Sequence, residues 1–222
     1  VVILYPKGKV SEVQEKQLTT LGENITALEV DGTFDDCQNM VKSAFIDPEL
    51  TNQVALTSAN SINIARWLAQ MFYFFIAYKD RPNPEKDLVV SVPSGNFGNL
   101  CAGIMAQKMG LPIKHFIAST NVNDTVPSYL STGNYEPKKS ISTLSNAMDV
   151  GDPSNFIRIQ KLFNNDFHKL KKLVSGFAYT DSQTKKALKE IYKSSNYIAD
   201  PHGAVSYLGL KDYLNSQEKD TH

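Results

Sequence analysis

Between the β-branched run Leu88 to Val92 and a helical stretch closing at Met109 stands the turn Ser94-Gly95-Asn96-Phe97-Gly98-Asn99. Glycine lets a backbone approach a ligand closely and turn where a Cβ would obstruct. A helix start adds N–H groups with no intrahelical partner and the positive end of the dipole. Strand, glycine-bearing turn and helix in that order make a seat for phosphate. The dipole contributes only about 0.3–1 kcal/mol, up to about 2 when partly buried. Several converging N–H groups must therefore supply the rest. A tight strand–helix connection without any ligand can use the same pattern.

The nucleotide chemistries fit poorly. A Walker loop needs Gly-Lys-Ser/Thr, and no lysine follows Gly98. A dinucleotide site needs an acidic residue ending the next strand to hold the ribose. That strand ends at Ala118-Ser119-Thr120, without a carboxylate.

The elements around the turn alternate. Val1 to Tyr5 reads as a core strand. Ser11 and Gln14 form a capping box for a helix that Gly22 stops, and Ile25 to Val30 is a second strand. Asp35 to Phe45 is an amphipathic helix. A short strand and a polar turn, Thr57 to Ser61, are expected around Val54 to Asn60, then a long helix, Ile62 to Lys79, whose apolar run Met71 to Tyr78 reads as buried and too short for a bilayer. Leu88 to Val92 and Ile113 to Ala118 are strands, the first buried on both faces. Thr120 to Gly151 reads as polar and irregular, and two or three helices end the chain, one capped by Thr180 and Gln183. Alternation of this kind implies an α/β fold.

Composition excludes other classes. Lys plus Arg equals Asp plus Glu at 23 each, so no net charge steers the chain toward nucleic acid or an anionic membrane. Cys37 and Cys101 lack metal-ligand spacing and cannot build a disulfide framework, which suits a reducing cytoplasm. Lys169, Lys171 and Lys172 read as the wet face of a helix. His115 and His168 read as structural, and Trp67 with Phe72 to Phe75 as core or lobe interface.

Ser94 to Asn99 also resembles the phosphate loop of threonine synthases, within the tryptophan-synthase-like (fold type II) pyridoxal-phosphate enzymes. Four further segments resemble that family in the same order: Leu4 to Ser11, Leu56 to Asn63, Ala118 to Pro127 and Thr143 to Val150. Asp200 to Val205, which contains His202, is a weaker match. The resemblance covers nearly the whole chain. It implies a two-lobed architecture of mainly parallel twisted sheets with flanking helices. Residues 1–56 would be part of the smaller α/β lobe and 57–222 most of the larger cofactor-binding lobe, incomplete at both ends.

The resemblance further implies pyridoxal 5'-phosphate as cofactor, held at its phosphate by Gly95, Asn96, Phe97 and Asn99, with Ser94 and Gly98 completing the turn. Asn60, Ser61 and Arg66 match positions that bind the phosphate of the small-molecule substrate O-phosphohomoserine. Helix capping explains Asn60 and Ser61 equally well, and a surface ion pair would explain Arg66. The family's Schiff-base lysine belongs to a segment before Val1, so no catalytic residue is expected here and the chain alone should be inactive. Lys79, in Ala77-Tyr78-Lys79-Asp80, imitates that lysine only superficially. The implied protein is a cytoplasmic monomer or homodimer with no metal. Another lyase of the same fold, or a non-catalytic phosphate-binding homologue, remains open on sequence grounds.

Overall fold

Short polar side chains set where the helices begin. In the computed structural model, which describes residues 1–219, Ser11 accepts from the Gln14 N–H while Gln14 accepts from the Ser11 N–H, opening α1 (Glu12–Thr19). Thr33 and Asp36 repeat that exchange at α2 (Phe34–Ile46). Each box satisfies donors that a helix start leaves bare. Asp47 and Pro48 start α3 (Pro48–Gln53), a short helix beyond those expected from the sequence, opened by the cap-and-proline pair Asp-Pro. α1 stops before Gly22. Its cap is Thr20, whose hydroxyl donates to the Lys16 carbonyl at 2.6 Å.

The chain forms two compact units, Val1–Ser58 and a second beginning at Ala59. The first holds a two-stranded parallel sheet, β1 (Val2–Pro6) against β2 (Thr26–Val30), joined through α1. β1 is less buried than a core strand: Val2 is 65% exposed. No strand forms over Val54 to Asn60. Val54 and Leu56 stay exposed there, and no neighbouring strand supplies hydrogen bonds.

The second unit contains α4 (Ile64–Lys79), β3 (Leu88–Pro93), α5 (Gly98–Lys108), β4 (Ile113–Thr120), α6 (Thr125–Thr132), α7 (Phe156–Leu162), α8 (Phe167–Leu173), β5 (Val174–Ala178), α9 (Asp181–Ser195) and α10 (Pro201–Lys219). Its sheet runs β3-β4-β5, all parallel. The central strand β4 is covered on both faces, and Phe116, Ile117 and Ala118 are fully buried. That is why it reads as a continuous apolar run. The edge strand β3 is only partly buried along Leu88 to Ser91.

Side chains alternate across β4, so Phe116 and Ile117 meet different layers. Phe116 packs edge-on to Phe74 of α4 with ring centres 6.0 Å apart, and both rings close over Gly103 of α5. α10 lies against all three strands of this sheet. There Ser91 donates to the Ser206 carbonyl and Ser206 to the Ser91 carbonyl, at 2.8 and 3.0 Å. α4 is buried along one face only. Trp67, Met71 and Phe74 point inward, while Phe72, Tyr73 and Ile76 are more than half exposed, so the apolar run is not a fully buried helix.

Besides α3, two more elements were hidden in the sequence. α6 falls inside the stretch read as irregular, and β5 follows α8 with no turn between Leu173 and Val174. No described helix is long and apolar enough to cross a membrane.

A Cβ at position 103 would lie 2.6 Å from the Phe74 ring and 2.8 Å from the Phe116 ring. Gly103→Ala should therefore destabilise the chain by about 1–3 kcal/mol, the usual cost of overpacking. Equilibrium denaturation measures it, and a change within about 0.5 kcal/mol would show that this layer yields freely.

Candidate functional site

Parallel strands all deliver their C-terminal ends to one edge of a sheet, where open α/β folds place ligands. Here that edge receives Ser94 to Asn99 after β3, Asn121 to Asp124 after β4, and Tyr179 with Thr180 after β5. The Ser94 N–H bonds the Ser119 carbonyl at 2.8 Å, pinning the start of the first loop to the end of β4.

Beyond Ser94 the backbone N–H groups go unused. Those of Gly95, Asn96, Phe97, Gly98 and Asn99 donate to no acceptor among the described residues, and the ladder of α5 begins with Cys101 bonding the Phe97 carbonyl at 3.0 Å. Phe97 takes the left-handed conformation, φ 61°, at the helix start. Its ring is buried and packs edge-on to Phe156 at 5.6 Å. Among the described residues no carboxylate hydrogen-bonds to this loop. Donors without acceptors at the positive end of a helix suit a phosphate dianion, so the loop fits the phosphate of pyridoxal phosphate.

The Asn96 side chain does not face open space. It donates to Ser61 Oγ at 2.6 Å and accepts from the Ser154 N–H and Oγ at 2.7 and 2.9 Å. One amide thus ties the loop to the Asn60-Ser61 turn and to the start of α7. Asn60 accepts from the Ser61 N–H at 2.6 Å. The cap of α4 is Asn63, which accepts from the Ala65 N–H, so capping falls to Asn63 rather than to Asn60 or Ser61. Exposed Arg66 donates to the Ala59 carbonyl at 2.7 Å and forms no ion pair among the described residues. Asn99 donates to Gln70 of α4 at 3.2 Å. The structure therefore gathers Asn60, Ser61 and Asn96 at one junction, joins Asn99 to α4, and turns Arg66 back on its own turn.

Other singled-out residues lie elsewhere. His115 stacks on Tyr213 at 4.8 Å and meets Ser175 Oγ at 2.8 Å, and burial holds its imidazole below the usual range. His168 is exposed beside Phe167. His202 opens α10 with Nδ1 3.7 Å from Asp200. Lys79 is exposed at the end of α4. Among the described residues no group of His, Cys, Asp and Glu could hold a metal ion.

Reading by segment missed the framework behind the loop. Asn121, buried at 1% exposure, donates to Thr143 Oγ1 and to Asp149 Oδ1, both at 2.8 Å. Asp149 also accepts from the Thr143 N–H and hydroxyl at 2.9 and 2.7 Å. Asn123 accepts from the Ile141 N–H at 2.7 Å and donates to the Ile141 carbonyl at 2.9 Å. This network fixes the 3₁₀ turn Asn146–Met148. A Cβ on Gly95 would sit 2.6 Å from the Ala147 carbonyl oxygen, so that turn presses directly on the phosphate loop. Only the density of Asn, Thr and Ser in the two segments could have signalled it.

Burial raises the Asp149 pKa, against hydrogen bonds from Thr143 and Asn121 that lower it, and the charge of Asp181 raises it further. A carboxyl with a raised folded pKa binds its proton longer when folded, so its contribution to stability falls as pH climbs from about 3.8 through the folded value. Carboxyl ¹³C titration should place the Asp149 midpoint above the usual aspartate value; a midpoint at or below it would contradict the burial argument.

The sequence pattern of the family described as pyridoxal-phosphate dependent enzyme matches residues 1–221. Threonine synthase of Haemophilus influenzae is 53% identical over 219 residues, 98% of this chain and 51% of that protein. The crystal structure of threonine synthase from Escherichia coli superposes with a TM-score of 0.89 at 51% identity, covering 96% of this chain and 49% of that one. The structure of PLP-bound threonine synthase from Brucella melitensis matches with a TM-score of 0.80 at 33% identity, over 95% of this chain and 51% of that one. This chain spans about half the length of the curated relatives it matches. Its parallel sheets and flanking helices are those of fold type II, and the unpaired amides of Gly95 to Asn99 lie beyond the C-terminal end of β3, the edge at which open α/β sheets in general bind ligands. On both sequence and architecture, the chain belongs to the family of pyridoxal-phosphate dependent enzymes.

Proposed function

We propose that this chain provides the phosphate-binding part of a threonine synthase, which converts O-phosphohomoserine and water to threonine and phosphate. The observation that carries the reading is the run of unpartnered N–H groups from Gly95 to Asn99, tied through Asn96 to Ser61. A second phosphate site beside the first is what a phosphorylated substrate requires. Ser61 and Asn60 would offer polar groups to the substrate phosphate and Arg66 a charged fork.

In this reading Gly95, Asn96, Phe97 and Asn99 hold the cofactor phosphate. Pyridoxal phosphate, when bound, supplies an electron sink for carbanions formed on the substrate. The residues of this chain bind and orient. Ser61 couples the two phosphate sites, since the hydroxyl that accepts from Asn96 borders the substrate turn. Residues 1–56 would form part of a smaller lobe and 57–222 most of the cofactor lobe. The protein would act in the cytoplasm, as a monomer or homodimer, with neither nucleic acid nor membrane as partner.

The proton-shuttling lysine is not assigned to any position of this chain, and Lys79 lies on the solvent side of α4. The 222-residue polypeptide, given pyridoxal phosphate and O-phosphohomoserine, should release no phosphate above background. Turnover would overturn that expectation. Asn96→Ala should weaken pyridoxal phosphate binding about tenfold, equivalent to about 1.4 kcal/mol. Equilibrium dialysis measures this; unchanged affinity would remove Asn96 from the site. Substrate profiling of a full-length protein containing this sequence separates a threonine synthase from another lyase of the fold.

A further inference from the structure

Arg158 of α7 carries its charge without a carboxylate: among the described residues no Asp or Glu forms an ion pair with it. Its guanidinium donates to the Ile62 carbonyl at 2.8 Å and to Asn155 Oδ1 at 3.0 Å, and lies 4.4 Å over the Trp67 ring. A guanidinium has donors only, so it must face the oxygen of the Asn155 amide. The amide nitrogen then points the other way.

That nitrogen is buried and donates to nothing among the described residues, and Asn155 as a whole is 0% exposed. An unmade hydrogen bond on a buried donor is costly. Beside it lies Gly98, the first residue of α5. A Cβ at Gly98 would sit 3.4 Å from Asn155 Nδ2 and 3.4 Å from the Ser61 Cβ, so the missing side chain leaves room between them. The field of Arg158 reaches this end of the helix. Cys101, in the first turn of α5, is pushed up to about 12 by burial while the Arg158 charge pulls it back. Two positive features, the start of α5 and an unneutralised guanidinium, thus converge on one unused amide donor. Without an anion they oppose each other; with one they add.

We propose that Asn155 is a further phosphate-binding residue of the Gly95 to Asn99 seat, and that Arg158 is its positioning residue, holding the amide nitrogen toward the anion and favouring a dianion. The inference rests on the reading of that loop as a cofactor-phosphate site.

Two variants test it in the full chain. Asn155→Asp keeps an oxygen facing Arg158 but replaces the donor with a second acceptor and neutralises the guanidinium. Gly98→Ala fills the space before the nitrogen at ordinary contact distance. Binding of pyridoxal phosphate and of pyridoxal, which lacks the phosphate, is followed by equilibrium dialysis, and the bound phosphate by ³¹P NMR. In each folded variant we expect pyridoxal phosphate to bind roughly tenfold more weakly or worse, with pyridoxal within about twofold of the unmodified chain. The ³¹P titration midpoint of bound phosphate should rise in Asn155→Asp. Retained pyridoxal phosphate affinity in either folded variant, or equal loss of both ligands, would overturn the proposal. An unmodified chain that binds neither ligand would overturn the phosphate-seat reading, and this inference with it.

Discussion

A row of backbone amides must stay unpaired while everything around it is paired. Phe97 enforces this. At φ 61° it turns the chain at the start of α5, so the N–H groups of Gly98 and Asn99 that follow it open a new helix, whose ladder begins only with Cys101 on the Phe97 carbonyl. A bulky residue in that region costs on the order of 1–3 kcal/mol. Burial of its ring, which is 4% exposed against Phe156, offsets about 1.5–3 kcal/mol. Glycine would remove the strain and the anchor together. The strained residue therefore positions the loop because its side chain belongs to the core.

Support for that loop comes from segments distant in sequence. The Ser94 N–H is tied to β4, Asn96 to Ser61 and Ser154, and Asn99 to α4. On the far side the Asn146–Met148 turn presses on Gly95, held there by Asp149 and Asn121. None of these contacts uses the loop's own N–H groups beyond Ser94. Side-chain amides do the fastening, and the backbone donors are left for a ligand. A ligand that arrives at such a site meets dipoles already oriented, which lowers the ordering cost of binding.

How much of this could be read in the sequence depended on whether the determining contacts were local. Caps are local: Ser11 with Gln14 and Thr180 with Gln183 form the boxes their spacing implies. The Ser94 to Asn99 turn is local too, since strand, glycine and helix follow one another. β5 was not legible because its partner β4 lies more than fifty residues earlier, and Gly176, which must clear the Pro127 backbone, weakens its pattern. The short strand expected within Val54 to Asn60 is absent for the converse reason: the composition suits a strand, but no strand among the described residues pairs with it. Asn155 gave no signal at all, because its meaning lies in Arg158, Gly98 and Trp67, which three different elements supply.

Asparagine recurs at several junctions of the site, at Asn96, Asn99, Asn121 and Asn123, and chemistry explains why. An amide side chain has a donor end and an acceptor end fixed about 2 Å apart, so one residue can satisfy two unlike neighbours. Asn96 donates to a hydroxyl while accepting from Ser154, and Asn123 accepts from and donates to the same residue, Ile141. A carboxylate in those places would lack the donor and bring negative charge beside donors suited to an anion. A lysine or arginine would lack the acceptor. Where the framework does use a carboxylate, at Asp149, the groups facing it are donors from Thr143, Asn121 and Asn123. Among the described residues negative charge is thus kept in the prop behind the loop and out of the loop's hydrogen bonds, the division that the proposed phosphate seat at the start of α5 requires.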